Sequence, residues 1–304
     1  MKLFMLICFV LLTLMLLFLA VYLIVGAILY RLILTRKGKM LKKIEALFEN
    51  DKEEGIFDRD FKKVSITSAD NLKLCGFYKD NSCGRVVLLV HGYGGNHRHM
   101  AKYVKLFEKK GYDILAIDMR SHGESEGRDI TMGQKESEDL KLWIEKLLQL
   151  KNHYKIVLFG VSLGASSVCL AAGEQLPSNV VLAIEDSGFD NADKELKFMF
   201  LQHKIMSKLC YNIFYNYTKK SQELDLKKVD VTSKIKNSRL PILFIHGDSD
   251  KIVPTEMVYN LSSQVPDNRK DVYIGKNSGH VGSYKNNAYE YERVVNSFLS
   301  KYNM

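Results

Sequence analysis

Residues 156–176 of the chain read IVLFGVSLGASSVCLAAGEQL. The first four form an apolar run typical of a buried strand, and the small residues from Leu163 onward are typical of a helix. In this strand–turn–helix setting the turn Gly-Val-Ser-Leu-Gly predicts that Ser162 projects its hydroxyl above the edge of a sheet. Gly160 and Gly164 are expected there because a Cβ would collide within so sharp a turn. The five-residue pattern alone also occurs in ordinary glycine turns, so the flanking strand and helix carry the prediction.

The rest of the chain alternates between apolar strand-like runs and helix-like segments. The strand-like runs are residues 61–67, 72–79, 86–90, 113–117, 155–159, 180–184, 242–245 and 271–274, and the helix-like segments are residues 98–110, 133–150, 163–176, 255–264 and 286–301. This alternation predicts an α/β domain with a mostly parallel central sheet and helices on both faces. Because sites form at the carboxyl ends of parallel strands, catalytic side chains are expected in the loops that follow these strands.

A serine hydroxyl is a poor nucleophile at neutral pH unless a base accepts its proton. In the chain order serine, acid, histidine, the downstream loops offer Asp250 and then His280. We expect His280 to be the base and Asp250 to orient its ring, although a lone loop histidine would ordinarily be a surface residue. Asp186, directly after its own strand, is the alternative acid. Asp248 is expected to form a turn.

Two backbone amides are expected to stabilise the oxyanion that forms when the serine attacks. One is the amide of Leu163, the residue after the nucleophile, and we assign the other to Tyr93 in the segment His-Gly-Tyr-Gly-Gly after an early strand. Gly92 lets this backbone approach a substrate closely. His91 is expected to hold the loop in place rather than to act as the base.

Five motifs in order carry a resemblance to a known family: HGYGG at 91–95, DMRSHGES at 118–125, GVSLG at 160–164, HGDSDKIVP at 246–254 and GH at 279–280. Together they resemble the α/β-hydrolase superfamily from about Phe61 to Tyr302, and they are most similar to bacterial membrane-anchored hydrolases grouped with serine aminopeptidase and prolyl-oligopeptidase-like enzymes. The resemblance implies the fold and the Ser-Asp-His triad, but it is poorly specific for substrate. It also implies that Arg120 and His122 brace the site.

Residues from about 187 to 240 form an insert without a buried-strand pattern, which we expect to be a helical lid. Its first half is rich in apolar residues: Phe189, Leu196, Phe198, Met199, Phe200, Leu201, Ile205, Met206, Leu209, Tyr211, Ile213, Phe214 and Tyr215. Most of these side chains are expected to pack the insert onto the sheet. The alternative is that some line an apolar pocket for a lipid-like or long acyl chain.

The N-terminal segment from Leu3 to Tyr30 contains no charged side chain. It is longer than the ~20 residues that a helix needs to cross a bilayer, and it is a poor match to a signal peptide or a buried core helix. Six basic residues follow before the first acid, Glu45: Arg31, Arg36, Lys37, Lys39, Lys42 and Lys43. We predict a transmembrane anchor over 1–36, a connector over 37–60, and a hydrolase domain over 61–304 on the cytoplasmic face, the extracellular face being the alternative.

Charge and cysteine content limit the partners and cofactors. The net charge is +9, but removing the six basic residues after the anchor and Lys2 leaves +2, which does not favour nucleic-acid binding. The cysteines show neither metal-site spacing nor an obvious disulfide framework. No nucleotide-binding loop, zinc site or flavin motif is found, so no cofactor or metal is expected.

The sequence favours a serine hydrolase that cleaves a carboxylic ester through an acyl-enzyme intermediate. A peptidase or amidase is the second interpretation because the same residues cleave amides. A peptidase specific for free N-termini would need a carboxylate near the pocket, and the insert offers Glu195, Glu223 and Asp225. A non-catalytic membrane-anchored binding scaffold is the third, although it would be expected to lack a triad residue.

Overall fold

The computed structural model describes residues 1–48, 55–202 and 208–304. Residues 49–54 of the expected connector, and Ile205 and Met206 of the expected lid, lie outside this part.

The centre of the molecule is a single sheet of eight strands in the order β1-β2-β4-β3-β5-β6-β7-β8. The strands are β1 (Lys62–Thr67), β2 (Lys73–Lys79), β3 (Arg85–Val90), β4 (Asp113–Ile117), β5 (Lys155–Val161), β6 (Val180–Asp186), β7 (Ile242–Gly247) and β8 (Lys270–Gly275). β2 pairs antiparallel with both β1 and β4, and the other neighbours pair parallel. The predicted mostly parallel α/β sheet is confirmed.

Helices cover both faces of the sheet, and in the described part of the chain three helices precede its first strand. They are α1 (Lys2–Ile33), α2 (Lys39–Phe48), α3 (Ile56–Arg59), α4 (Ala101–Glu108), α5 (Gln134–Leu150), α6 (Leu163–Ala172), α7 (Ala192–Gln202), α8 (Lys208–Ser221), α9 (Val231–Ile235), α10 (Glu256–Ser262), α11 (Ser283–Asn286) and α12 (Ala288–Lys301), with short 3₁₀ turns at His97–Met100, Leu226–Lys228 and Asp267–Arg269. The helix expected to reach Leu176 ends at Ala172, where Gly173 follows and Pro177 lies four residues further on.

The strands are apolar on both sides because each side packs against helices. In β3, Val86, Leu88 and Val90 belong to one buried cluster, while Val87 and Leu89 belong to the other. The first cluster includes residues of α5 and α6, and the second includes residues of α4 and α12. Alternate side chains of β3 therefore face opposite sides of the sheet. Because both sides are buried, the sequence of β3 is a continuous apolar run rather than an alternating one.

The chain order of the strands reverses at β3. From β3 the chain passes to β4 on one side and later to β5 on the other side. The loops after β3 and β5 therefore leave the same edge of the sheet in opposite directions and leave a crevice between them. This crevice is where the two glycine-rich motifs of the sequence meet.

Helix α1 is long and apolar enough to cross a membrane, by length and composition. Its N-terminal part is exposed, whereas Gly26, Leu29, Tyr30 and Ile33 near its C-terminal end are buried. These residues lie against the insert helix α8, and the rings of Tyr30 and Tyr217 are 6.0 Å apart. The last two turns of the apolar helix are thus part of the packed domain.

Candidate active site

Ser162 lies at the junction between β5 and α6 with φ +53° and ψ −119°. This backbone conformation is unusual for a residue with a side chain, and the surrounding structure must hold it in place. A Cβ on Gly160 would collide with the backbone of Gly164, and a Cβ on Gly164 would collide with the carbonyl oxygens of Val90 and His91. Both glycines are therefore required by the close approach of the backbone segments, as the turn pattern predicts.

His280 lies in the loop after β8 and reaches across to the serine. Its Nε2 is 2.9 Å from Ser162 Oγ, and its Nδ1 is 2.7 Å from Asp250 Oδ2. With the proton on Nδ1, the ring donates to Asp250 and accepts from the Ser162 hydroxyl. This is the geometry that general-base activation of a serine requires. The structure thus brings the three expected residues together in the expected order of contacts, while their catalytic roles stay predictions.

Asp250 is buried and its carboxylate accepts hydrogen bonds at both oxygens. Oδ1 accepts from the amides of Ile252, at 2.8 Å, and Val253, at 3.0 Å. Burial alone would raise the pKa of Asp250, but hydrogen bonds from His246 and His280 outweigh it and hold the pKa well below its ordinary value. Asp250 is therefore a fixed negative charge at neutral pH that can orient and stabilise a protonated ring.

His246 is a neighbour of the candidate triad that the sequence reasoning did not single out. It is the penultimate residue of β7 and is fully buried, and its Nε2 lies 3.3 Å from Asp250 Oδ2 and 3.0 Å from the carbonyl oxygen of Val253. Burial lowers the pKa of His246, but its hydrogen bond to Asp250 outweighs this effect and raises the pKa above the ordinary value. The sequence feature that could have indicated this contact is the position of His246 on a strand, four residues before Asp250.

The other two aspartates considered from the sequence have different partners. Asp186 is fully buried and accepts hydrogen bonds from the hydroxyls of Tyr291, at 2.8 Å, and Tyr103, at 3.3 Å. Asp248 accepts from the Ser249 hydroxyl at 2.8 Å, as expected of a turn residue. The geometry therefore favours Asp250 over Asp186 as the partner of the histidine.

The loop after β3 passes directly against the serine. A Cβ built on Gly92 would lie 3.0 Å from Ser162 Cβ. His91 Nδ1 donates to the Gly92 carbonyl oxygen at 2.7 Å, and its Nε2 accepts from the Met119 amide at 3.0 Å. Burial lowers the pKa of His91 to about 3, so the ring is neutral and both of its nitrogens are engaged within the loop.

The two amides assigned to the oxyanion belong to the two chain segments next to Ser162. Leu163 is the first residue of α6, where amides have no partner within the helix and the helix dipole favours negative charge. Tyr93 belongs to the loop that carries Gly92, and its hydroxyl donates a hydrogen bond to the carbonyl oxygen of Ile33 at the end of α1. Their roles as oxyanion donors stay predictions, and the link from Tyr93 to α1 was not expected.

The segment from Asp118 onward is held by ion pairs of the buried Arg120 and by hydrogen bonds to the buried Asp118. Arg120 donates through Nε to Asp139 at 2.7 Å and through Nη1 to Asp70 at 2.9 Å. Asp118 accepts from the backbone amide and the ring of His97, at 2.7 and 2.9 Å. This segment supplies the Met119 amide that fixes His91, so it braces the loop beside the serine.

The three insert carboxylates considered from the sequence differ in their surroundings. Glu195 is 3% exposed, and burial, together with the charges of Asp250 and Asp190, raises its pKa well above the ordinary value. Asp225 pairs with Lys219 at 2.9 Å, and Glu223 is exposed. Among the described residues, no hydrogen bond joins any of these three to the serine or the histidine. They are poorly placed to bind a substrate amine.

The described residues contain no cluster of histidine, cysteine, aspartate or glutamate that could hold a metal ion. No disulfide joins cysteines of the described residues, and Cys75 and Cys169 are buried.

Comparison with known proteins places these features in context. The family model described as "Serine aminopeptidase, S33" matches residues 82–229. An uncharacterized protein of Bacillus subtilis, YqkD, is 28% identical over 244 residues, which cover 78% of this chain and 79% of the relative. Lipase 1 of Psychrobacter immobilis is 23% identical over 259 residues, which cover 74% of this chain and 79% of the lipase.

Solved structures show the same fold. The Pyrococcus furiosus esterase Pf2001 superposes with a TM-score of 0.66 at 24% identity. The match covers 81% of this chain and 92% of that esterase.

Proposed function

We propose that the chain is a serine hydrolase of the α/β-hydrolase superfamily that cleaves a carboxylic ester through an acyl-enzyme intermediate. The observation that carries this proposal is the continuous hydrogen-bond chain from Ser162 through His280 to Asp250, built on a strained serine turn. The matching family model and the similarity to a lipase support a hydrolase.

The geometry suits a two-step acyl transfer. Ser162 Oγ attacks the ester carbonyl carbon while His280 Nε2 accepts the hydroxyl proton, and Asp250 stabilises the resulting imidazolium. The carbonyl oxygen becomes an oxyanion, which the amides of Tyr93 and Leu163 stabilise. Collapse breaks the ester C–O bond, and His280 returns its proton to the departing alcohol. Water, activated by the same ring, then releases the carboxylic acid and regenerates the serine.

The apolar helix α1 anchors this activity to a membrane in our proposal. It has the length and composition to cross a bilayer, and basic residues follow it. The positive-inside rule then puts the catalytic domain on the cytoplasmic face. A lipid-like or other small ester that reaches the membrane surface is the substrate class that this arrangement favours.

An aminopeptidase is the second candidate, favoured by the description of the matching family model. We rank it below the esterase because recognition of a free amino terminus needs an accessible carboxylate beside the serine. Of the three carboxylates considered, Glu195 interacts with the charge of Asp250, but it is buried and its raised pKa favours the neutral form. An uncharged buried acid does not pair with a substrate ammonium group.

Labelling with a fluorophosphonate probe and a substrate panel test the proposal. Full-length protein in a non-ionic detergent is compared with Ser162→Ala and His280→Ala, and Ser263→Ala and His153→Ala serve as matched controls because both are exposed. We expect labelling and hydrolysis of p-nitrophenyl esters in the wild type and controls, and loss of at least ~10³-fold activity in the two variants.

The panel also separates the two candidates. Preference for p-nitrophenyl acyl esters over aminoacyl p-nitroanilides supports the esterase, whereas the reverse preference supports the aminopeptidase. A folded wild type that neither labels nor turns over any substrate would contradict both and leave a binding scaffold.

A further inference from the structure

A cavity of about 550 Å³ lies where α1 meets the catalytic domain. It is lined by Arg31, Thr35, Arg36, Lys37, Gly127 and Arg128. Arg31 lies in the last turn of α1, and Thr35, Arg36 and Lys37 follow the helix. Gly127 and Arg128 belong to the loop that continues the segment bracing the candidate active site. Four of the six lining residues are basic, and none is acidic. The cavity is therefore built for an anion.

The basic side chains of the cavity are only partly neutralised. Within the described residues, Arg31 and Lys37 are exposed and have no carboxylate partner. Arg128 Nε lies 3.4 Å from Asp129 Oδ1, which is a long and exposed pair. Arg36 donates to neutral acceptors, the carbonyl oxygens of Gly123, at 2.6 Å, and Ser125, so its charge is not cancelled.

The two glutamates of the loop are directed away from the cavity. Glu124 pairs with Lys63 at 2.5 Å, and Glu126 accepts from the amide of Lys73 at 2.8 Å. Both contacts lie toward the edge of the sheet formed by β1 and β2. The cavity thus retains a positive charge although two glutamates lie close to it in the sequence.

The position of the cavity along α1 indicates which anion it meets. The exposed apolar surface of the helix extends to Ile28, and Arg31 follows one turn later. If α1 crosses a bilayer, this turn coincides with the boundary between hydrocarbon and headgroups, where lipid phosphates lie. A volume of about 550 Å³ is large enough for a lipid headgroup rather than a single small ion.

We infer that this cavity binds the phosphate group of an anionic membrane lipid. Arg31, Lys37 and Arg128 supply charged donors to the phosphate oxygens, and Arg36 adds positive charge from behind. A zwitterionic headgroup would bring its own ammonium group against four basic residues, so an anionic headgroup is preferred. This inference rests on the proposed anchorage but does not depend on hydrolase activity.

Binding of short-chain lipids to the full chain tests the inference. The protein is held in an uncharged detergent, and dihexanoyl phosphatidylglycerol, dihexanoyl phosphatidylcholine and inorganic phosphate are titrated separately. The readouts are the dissociation constant and the rise in unfolding temperature. Unfolding is monitored by the fluorescence of the buried Trp143. The double variant Arg31→Gln/Lys37→Gln is compared with Lys39→Gln/Lys42→Gln, which removes the same charge from exposed residues outside the cavity.

We expect phosphatidylglycerol to bind about 10-fold or more tightly than phosphatidylcholine. The cavity variant should lose this preference for phosphatidylglycerol over phosphatidylcholine. The control variant should keep its affinity for phosphatidylglycerol within about twofold of wild type. If the cavity variant has a lower unfolding temperature without lipid, Arg128→Gln, which leaves α1 unchanged, replaces it and should weaken binding in the same direction.

Three results would overturn the inference. Equal losses in the cavity and control variants would indicate general charge attraction by the basic segment. Equal binding of phosphatidylcholine would remove the role of the anionic headgroup. Inorganic phosphate that binds as tightly as phosphatidylglycerol and displaces it would identify a site for free phosphate rather than for a lipid.

Discussion

At the scale of single residues, Asp250 is the group on which the candidate triad depends most. It lies between two histidines, with His280 Nδ1 at 2.7 Å and His246 Nε2 at 3.3 Å from the same oxygen. Its other oxygen accepts two backbone amides of the following turn. The carboxylate is therefore rigid, and the ring that it holds presents the correct nitrogen to the serine.

Replacement of Asp250 by asparagine should lower kcat by about 10⁴-fold with little change in fold. An amide at this position can donate to the ring and so favours the tautomer in which Nδ1 carries no proton. Asp248→Asn, two residues earlier and exposed, is the matched control and should retain activity. Ester hydrolysis in both variants measures the effect, and equal activities would remove Asp250 from the proposed mechanism.

Glu185 makes the stability of the protein depend on pH. Burial raises its pKa to about 8, and the Gly188 amide donates to one of its oxygens. Between about pH 4.5 and 8 the folded protein keeps this proton while the unfolded chain releases it, so Glu185 lowers stability as pH rises. Glu185→Gln should therefore gain stability over wild type by up to ~1.4 kcal/mol per pH unit across this window.

Denaturant unfolding of the full chain at pH 5 and pH 7.5 checks this prediction. Glu138→Gln, on an exposed face of α5, is the control and should show no pH-dependent difference. A difference between Glu185→Gln and wild type that shrinks with rising pH would contradict the assignment.

At the scale of elements, the pairing of α1 with α8 relies on a small residue. A Cβ on Gly26 would lie 2.7–2.8 Å from the side chain of Tyr217, closer than real Cβ atoms approach. The glycine lets the two helix backbones come together where the apolar helix meets the insert. The position of the insert is therefore tied to the apolar helix α1.

Gly26→Val should force α1 away from α8 and lower the unfolding temperature of the detergent-solubilised protein by several degrees. Ala20→Val, two turns earlier on the exposed part of α1, makes a comparable change without a neighbour and should have little effect. Unfolding followed by the fluorescence of Trp143 compares the two. Similar unfolding temperatures would show that the contact does not hold the helices together.

At the scale of the whole molecule, the C-terminal end of α1 and the α/β domain share one core. Leu29, Tyr30, Ile33 and Leu34 are buried with residues of the sheet and of the insert. The Ile33 carbonyl oxygen also accepts a hydrogen bond from the hydroxyl of Tyr93, which lies in the loop beside the serine. The end of the anchor is thus a structural part of the domain, whichever residue is chosen as the domain boundary.

Two fragments should therefore behave differently. Residues 26–304 keep the buried end of α1, whereas residues 41–304 lose four buried apolar side chains. Burial of each such side chain contributes at most ~1.5–3 kcal/mol to the free energy of unfolding. We expect the shorter fragment to unfold about 10 °C or more below the longer one and to hydrolyse short esters more slowly. Equal unfolding temperatures and rates would mean that the end of α1 contributes nothing to the domain.

The sequence by itself determined the features that depend on neighbouring residues. The period-two and continuous apolar runs predicted the strands, and the strand–turn–helix pattern predicted the turn at Ser162. These features are readable because backbone sterics and side-chain alternation act over a few residues. The length of the uncharged N-terminal run likewise predicted a helix that could cross a membrane.

Only the tertiary structure decided which distant groups meet. His280 and Ser162 are 118 positions apart, and nothing local distinguishes Asp250 from Asp186 as the partner of that ring. The second histidine at Asp250, the docking of α1 on α8 and the basic cavity at Arg31 depend on how strands and helices pack. Such contacts join residues far apart in the chain, and their positions are set by the order of strands in the sheet rather than by local pattern.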